Sequence, residues 1–163
     1  MKSCSTKYKM PSQKTVYKKK VLNENYATSL YHLLSNGIEW DEGVRSRKGF
    51  TRKAKALRIG DIPEVDEAIG LALSSVTKTP YNVEFIYLNY YENGEMWTPN
   101  HSHAGTHQMV ISLGCPRTLQ VSKKDYLMEN GDVILFGSAI HGIPKEPNVK
   151  EGRIAIATFM KPC

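Results

Sequence analysis

The sequence contains no long run of apolar residues. No segment approaches the roughly 18 consecutive apolar residues of a membrane-spanning helix, so we expect no membrane association of that kind. Residues 1–14 have no apolar segment after their first charges, and we therefore expect no secretory signal peptide.

Cysteine is also scarce. Cys4, Cys115 and Cys163 are odd in number, far apart and in no CxxC pair. This argues against a disulfide framework and favours a reducing compartment. We therefore expect an intracellular protein, either cytoplasmic or nuclear.

Two segments lack acidic residues altogether. Residues 1–20 hold seven lysines and no acid, and residues 45–58 hold seven cations and no acid. We interpret residues 1–20 as a flexible basic tail and residues 21–163 as a single domain. Both basic segments are either solvated surface or contacts for a polyanion. Phe50 lies inside the second segment, and an aromatic ring among cations can stack on a base.

The order of elements predicts an α+β fold. Apolar spacing indicates a helix from Glu24 to about Ser35, capped by Asn23, and a second helix from Pro63 to about Val76. Residues 45–58 are read as a loop between them. From Tyr81 onward the pattern changes to strands separated by short turns. We expect both helices to pack on one side of a sheet sandwich or barrel in a monomeric protein.

The chemistry is concentrated in three histidines. His101 and His103 are two residues apart, a spacing that places both side chains on one face of a strand. His141 follows a distant strand that could return it to the same place, and Arg153 opens the last strand. Three such ligands are typical of a mononuclear facial metal site. A buried arginine nearby would need an anionic partner, which a dicarboxylic co-substrate supplies.

The stretch "LNYYENGEMWTPNHSH" resembles AlkB-like iron and 2-oxoglutarate dioxygenases, whose pattern is Asn-x-Tyr-x-x-Gly followed by His-x-Asp. Asn89, Tyr91 and Gly94 match the first part, and His101 falls at a spacing that the family uses. "GDVILF" before His141 and Arg153 at the head of the final strand extend the likeness.

The resemblance implies a double-stranded β-helix of the jelly-roll or cupin type. Fe(II) would be bound by His101 and His141, with His103 in the place of the family's aspartate. Arg153 would bind the distal carboxylate of 2-oxoglutarate, and Asn89 and Tyr91 would hydrogen-bond this co-substrate. With dioxygen, the reaction would hydroxylate or demethylate a nucleic-acid base while 2-oxoglutarate becomes succinate. The base would be single-stranded or flipped. The expected substrate contacts are Phe50, Arg52, Lys53 and Lys55.

Two other readings of the same residues remain open. "HSHAGTHQ" and "GDVILFGSAIH" also read as the halves of a cupin metal motif, with Gln108 in the third-ligand place and His141 in the fourth. That reading accounts for His103 but not for Asn89, Tyr91 or Arg153. The other reading is an inactive oxygenase scaffold that serves as a nucleic-acid-binding module.

Overall fold

Two helices precede most of the strands along the chain. The computed structural model describes residues 10–43, 45–46 and 49–163, with only the backbone described for residues 45, 46, 49 and 50. Helix α1 spans Glu24–Gly37 and helix α2 spans Pro63–Val76. The side chain of Asn23 accepts a hydrogen bond from the Tyr26 amide and Pro63 occupies the first turn of α2, so both predicted helix starts are confirmed.

The strands form two larger sheets and one small hairpin. The strands are β1 (Val16–Lys18), β2 (Arg45–Ser46), β3 (Gly49–Phe50), β4 (Lys53–Leu57), β5 (Tyr81–Tyr91), β6 (Thr98–His101), β7 (His107–Gly114), β8 (Arg117–Val121), β9 (Lys124–Met128), β10 (Val133–Phe136), β11 (His141–Ile143) and β12 (Arg153–Pro162). The six-stranded sheet has the order β1-β10-β7-β12-β5-β4, and the four-stranded sheet has the order β6-β11-β8-β9. All pairings are antiparallel within the described residues.

The larger sheet is buried on both faces. One face packs against α1 and α2 through a cluster that includes Leu34, Ile69 and Ile156. The other face meets the four-stranded sheet through a second cluster that includes Phe136 and Ala157. Two antiparallel sheets face each other with the helices outside one of them, so the predicted double-stranded β-helix is confirmed.

Some sequence-based expectations are corrected. Val16–Lys18 pairs with β10, so this part of the predicted flexible tail belongs to the sheet, whereas residues 1–9 lie outside the described residues. Tyr17 anchors β1 because its hydroxyl lies 2.8 Å from Oδ2 of the buried Asp132. Residues 53–57 form a strand rather than a loop. Leu33 on α1 is 41% exposed, although the apolar spacing of that helix predicts that it is buried. None of the helices in the described ranges is long and apolar enough to cross a membrane.

Candidate functional site

A cavity of about 540 Å³ opens between the two sheets. Its floor is formed by alternate residues of β5, β7 and β12, because successive side chains of a strand point to opposite faces. Strand register places these residues in four levels: Gly114–Arg153–Tyr91, Ser112–Ala155–Asn89, Val110–Ala157–Tyr87 and Gln108–Phe159–Phe85. Arg153 and Tyr91 in the first level are buried, whereas Phe85 in the last level is 39% exposed. The cavity therefore has a deep end at Arg153 and an open end at Phe85.

The three histidines converge on this cavity from strand β6, from the turn that follows it and from the neighbouring strand β11. His101 ends β6 and pairs in register with His141 at the start of β11. His103 lies two residues beyond β6, so the expectation that it shares a strand with His101 is wrong. The turn after β6 nevertheless brings the side chain of His103 close to those of His101 and His141. One ligand atom from each histidine lies within 4.8 Å of the others. The triad has the composition of a mononuclear metal site.

In two of these histidines, hydrogen bonds determine which ring nitrogen remains free to bind a metal. Nδ1 of His101 donates to the carbonyl oxygen of Pro99 at 2.8 Å, and Nδ1 of His141 donates to that of Ala139 at 2.8 Å. A carbonyl only accepts, so Nδ1 carries the proton in both rings and Nε2 keeps its lone pair. Such second contacts orient imidazole ligands in metal sites.

Burial also favours the uncharged form of two of these histidines. It lowers the pKa of His141 to about 4, and burial together with the nearby His101 and Arg52 lowers the pKa of His103. Neutral imidazole is the form that binds a metal ion. At neutral pH, His103 and His141 therefore need not lose a proton before they bind a metal.

Arg153 lies at the deep end with an incomplete set of partners. It is 1% exposed, and its Nε donates to Oγ of Ser112 at 2.9 Å. Nη1 and Nη2 are buried without a hydrogen-bond partner among the described residues. Burial lowers the pKa of Arg153 to about 10, so it remains charged at neutral pH. A buried cation with two free donors in a fork is suited to a carboxylate.

Tyr91 separates Arg153 from a second buried arginine. Its ring lies 5.5 Å from the Arg153 guanidinium carbon and 5.3 Å from that of Arg117. Its hydroxyl shares a 2.6 Å hydrogen bond with Oγ1 of Thr98. In this arrangement Tyr91 packs against Arg153 and ties β5 to β6.

Each of the three guanidinium nitrogens of Arg117 has a hydrogen-bond partner, so this arginine is structural. Its guanidinium donates to Oε1 of Glu146 and to the carbonyl oxygens of Asn93, Met96 and Pro144. These bonds fasten the β5–β6 connection to the β11–β12 connection. Gly94 lies in the same contact, and a side chain there would collide with the backbone of Glu146.

Asn89 contacts a side chain that the sequence predicted as a substrate contact. Oδ1 of Asn89 accepts a 2.7 Å hydrogen bond from Nε of Arg52, and both residues line the cavity. Lys53 and Lys55 do not line it. They pair with Tyr90 and Leu88, whose side chains face the helices, so both lysines lie on the opposite face of the sheet. The side chain of Phe50 lies outside the described residues.

The open end has an aromatic wall that sequence reasoning missed. Phe85 and Phe159 stack with ring centroids 4.3 Å apart, and Tyr87 meets Phe85 edge-on at 6.2 Å. Gln108 lies next to Phe159 across the sheet and is 2% exposed. The signal was the alternation along β5 and β12, which places these residues on the same face as Asn89 and Arg153.

Several solved structures of other proteins are similar to the structure of this chain. No family model and no curated protein matches the sequence. HygX from Streptomyces hygroscopicus, with nickel, 2-oxoglutarate and hygromycin B bound, is 10% identical with a TM-score of 0.67, covering 91% of this chain and 82% of its own.

Two further solved structures are similar to this one. The α-ketoglutarate-dependent carbocyclase SnoK from nogalamycin biosynthesis is 14% identical with a TM-score of 0.65, covering 93% of this chain and 80% of its own. A prolyl-4-hydroxylase from Pseudomonas putida is 11% identical with a TM-score of 0.60, covering 91% and 92%. At such identities the likeness concerns the fold, and this chain has the double-stranded β-helix fold of 2-oxoglutarate and iron(II) oxygenases.

Proposed function

We propose that the protein is an Fe(II)- and 2-oxoglutarate-dependent oxygenase. The observation that carries this proposal is the presence of two complementary groups in one cavity. The histidine triad could hold a metal ion, and Arg153 offers two unused donors at the deep end. 2-Oxoglutarate has the two functions that this pair requires, a keto acid to chelate a metal and a distal carboxylate.

The surroundings of Arg153 fit that distal carboxylate. A buried guanidinium with unused Nη1 and Nη2 loses the stabilisation that hydrogen bonding would give it, and a bidentate carboxylate restores it. Ser112 and the ring of Tyr91 hold the guanidinium in place from two sides. Arg153 would therefore orient the co-substrate along the cavity toward the triad.

The triad fits a divalent metal through nitrogen alone. His101 and His141 would bind through Nε2, and His103 would provide the third imidazole. A site of three neutral ligands keeps the full charge of the ion and favours nickel, copper or zinc more than a site with a carboxylate does. Iron(II) remains a suitable occupant because imidazole is a common iron ligand.

The chemistry follows from what such a site contains when loaded. Iron(II), when bound by the three histidines, would supply with 2-oxoglutarate and dioxygen the oxidation of a carbon–hydrogen bond, with succinate and carbon dioxide as the products of 2-oxoglutarate. The side chains of this chain supply orientation and a dry environment. Arg153 fixes the co-substrate, and the apolar floor of Val110, Ala155 and Ala157 limits water around the reacting groups.

We further propose an N-methylated nucleic-acid base as the substrate, as in the AlkB-like enzymes. The support is the aromatic wall at the open end, Arg52 at its side and the basic segments of the sequence. Aromatic rings stack on bases of any identity, and cations bind the backbone. The target base would enter the cavity from a single strand or after flipping.

Succinate release tests this function directly. Protein freed of metal and reloaded anaerobically with iron is mixed with 2-oxoglutarate and dioxygen, with and without methylated oligonucleotides. We expect succinate in both cases and formaldehyde only with a methylated strand. Arg153→Ala should abolish both products, whereas Lys161→Ala, a change of an exposed cation on the same strand, should not. Oligonucleotide binding without any metal uptake would instead indicate an inactive binding module.

One observation favours a second candidate. Gln108, in the third-ligand place of the cupin motif, is buried in the same cavity as the three histidines. A cupin-type metal protein or dioxygenase that does not use 2-oxoglutarate would bind metal through these groups. Calorimetry separates the two candidates, because metal binding without any affinity for 2-oxoglutarate would favour the cupin.

A further inference from the structure

The open end of the cavity has an unused hydrogen-bond donor. Gln108 is 2% exposed and lines the cavity, and its Nε2 is buried without a partner within the described part of the chain. Buried amides are almost always hydrogen-bonded, so an isolated one inside a ligand cavity indicates the place of a ligand acceptor. Its neighbours across the sheet are Phe136 and Phe159, which offer no polar atoms.

The surface next to this donor is aromatic and apolar. Phe159 and Phe85 stack on each other with ring centroids 4.3 Å apart, and Tyr87 lies one level deeper. Such a wall favours a planar conjugated group, because aromatic rings bind one another in offset or edge-on contact. The donor and the wall together define a subsite, which we call the outer chamber: Gln108, Phe85, Tyr87 and Phe159.

The charge of the cavity has one sign. Arg52 and Arg153 are its charged lining residues, and no Asp or Glu is among the described residues that line it. A bound divalent metal adds to this positive charge, and 2-oxoglutarate offsets only part of the total. A cationic ligand would therefore be repelled in a partly dry space, where Coulomb interactions are stronger than in water. The positive field favours a ligand that directs an acceptor toward Nε2 of Gln108.

We propose that the outer chamber selects an uncharged, planar ring with a carbonyl oxygen, which accepts a hydrogen bond from Gln108, and that it rejects cationic rings. This inference rests on the proposed function and names the class of substrate within it. Among N-methylated bases it distinguishes two groups. 3-Methyluracil is neutral and carries a carbonyl oxygen at position 4, whereas 3-methylcytosine is nearly the same shape but cationic, with a nitrogen donor at that position.

The expected reaction balances without further reagents. One C–H bond of the N-methyl group is oxidised to C–OH, one oxygen atom of dioxygen enters the product and the other enters succinate, and 2-oxoglutarate loses carbon dioxide. The N–CH₂OH group then breaks at its C–N bond, the hydroxyl proton moves to nitrogen, and formaldehyde leaves. Oxidant and co-substrate are those of the proposed function.

The test compares two short single-stranded oligonucleotides that differ only in this base. Their affinities are measured on the zinc-loaded protein with 2-oxoglutarate present, so that binding is read without turnover. We expect the 3-methyluracil strand to bind at least about tenfold more tightly, since one buried hydrogen bond and one repelled charge separate the two. Gln108→Leu should weaken the 3-methyluracil strand by about tenfold and leave the other unchanged.

Two variants sharpen the result. Gln108→Glu introduces an anionic acceptor and should shift the preference toward 3-methylcytosine. Gln120→Leu is the matched control, because Gln120 lies on β8 and does not line the cavity. Equal affinity for both strands, preference of the wild type for 3-methylcytosine, no measurable binding of either methylated base over unmodified strand, or no effect of Gln108→Leu would each overturn the inference. Succinate release without any oligonucleotide reports separately on the proposed function.

Discussion

His103 packs edge-on against Phe159, with ring centroids 4.9 Å apart and ring planes at 84°. Phe159 in turn stacks on Phe85, so the third histidine of the triad rests on an aromatic wall rather than on a polar group. An imidazole fits this apolar surface at little cost, whereas a carboxylate would lose solvation there. The wall thus offers a physical reason for histidine at this position.

The first prediction concerns His103 as a ligand. His103→Ala should weaken zinc or nickel binding by more than the roughly 10- to 100-fold that loss of an outer contact costs, because a direct ligand is removed. His103→Asp should shift preference toward iron and raise iron-dependent succinate release. Metal content and calorimetry on metal-free protein measure both. His32→Ala, on α1, is the control, and an alanine variant at 103 that holds metal like wild type would show that His103 is not a ligand.

The second prediction concerns Arg153 and 2-oxoglutarate. Arg153→Ala should lower affinity for 2-oxoglutarate by about 30-fold or more, since losing one partner of a buried charge pair costs roughly 2–5 kcal/mol. Ser112→Ala should have a smaller effect, because it removes only the contact to Nε. Calorimetric titration of zinc-loaded protein, with the fold checked by circular dichroism, gives the comparison. Unchanged affinity in a folded Arg153→Ala protein would contradict the assignment.

The third prediction concerns the docking of β1. Tyr17→Phe should lower the free energy of unfolding by about 1 kcal/mol, because the hydrogen bond to Asp132 is lost. Burial, then the contact with Asp132, raises the pKa of Tyr17 above its ordinary value. As pH rises, the Tyr17 hydroxyl therefore ionises at a lower pH in the unfolded chain than in the folded protein. The free energy of unfolding should then fall as pH rises above the ordinary tyrosine pKa of about 10.

Urea unfolding at pH 7 and at about pH 10.5 tests both parts of this prediction. The decrease in the free energy of unfolding from the lower to the higher pH should be smaller in Tyr17→Phe than in wild type. Tyr126→Phe is the control, because Tyr126 packs edge-on against Tyr17 without sharing its contact to Asp132. Identical stability of Tyr17→Phe and wild type at both pH values would mean that β1 contributes little to the folded state.

The fourth prediction concerns phosphate contacts of the basic segment. Arg52 lines the cavity, whereas Lys53 and Lys55 lie on the opposite face of the sheet, so Arg52 is the one of the three that is placed to contact a strand whose base enters the cavity. The log of affinity for a single strand should fall linearly with log salt, and Arg52→Ala should flatten that slope by roughly 0.7 units, the share of one phosphate contact. Changing Lys53 and Lys55 together to alanine should leave the slope unchanged, as should the same change at the exposed control pair Lys78 and Lys150. A slope unaltered by Arg52→Ala would identify the segment as solvated surface.

Local signals made the helices and the deep end of the cavity predictable. Asn23 and Pro63 act within one helical turn, so their effect can be seen in the sequence. Arg153 could be placed at the head of a strand because an apolar run follows it. The strand before His141 could return it to His101, and the resemblance supported this match, but their pairing depends on the order of strands in a sheet, which the sequence does not display.

Other features depend on contacts that the sequence does not display. The β8–β9 hairpin turns at Ser122 and Lys123, both with positive φ, whereas asparagine and glycine are the usual signal for such turns. Gln108 lies in a strand buried on both faces, so alternation could not show that it faces the cavity. Lys53 and Lys55 were predicted to contact the substrate because a loop does not fix the direction of its side chains. Strand register places both lysines on the face of the sheet opposite the cavity.

The hydrogen bonds that Arg117 makes to the β5–β6 and β11–β12 connections close one end of the barrel. Because the connections on that side are tied together, and Arg153 and Tyr91 behind them are only 1% and 2% exposed, the way in lies past the triad and the aromatic wall. Whatever binds at the deep end must then arrive before the occupant of the outer chamber and leave after it. Under the proposed function, the co-substrate would therefore be the first to enter and its product the last to leave.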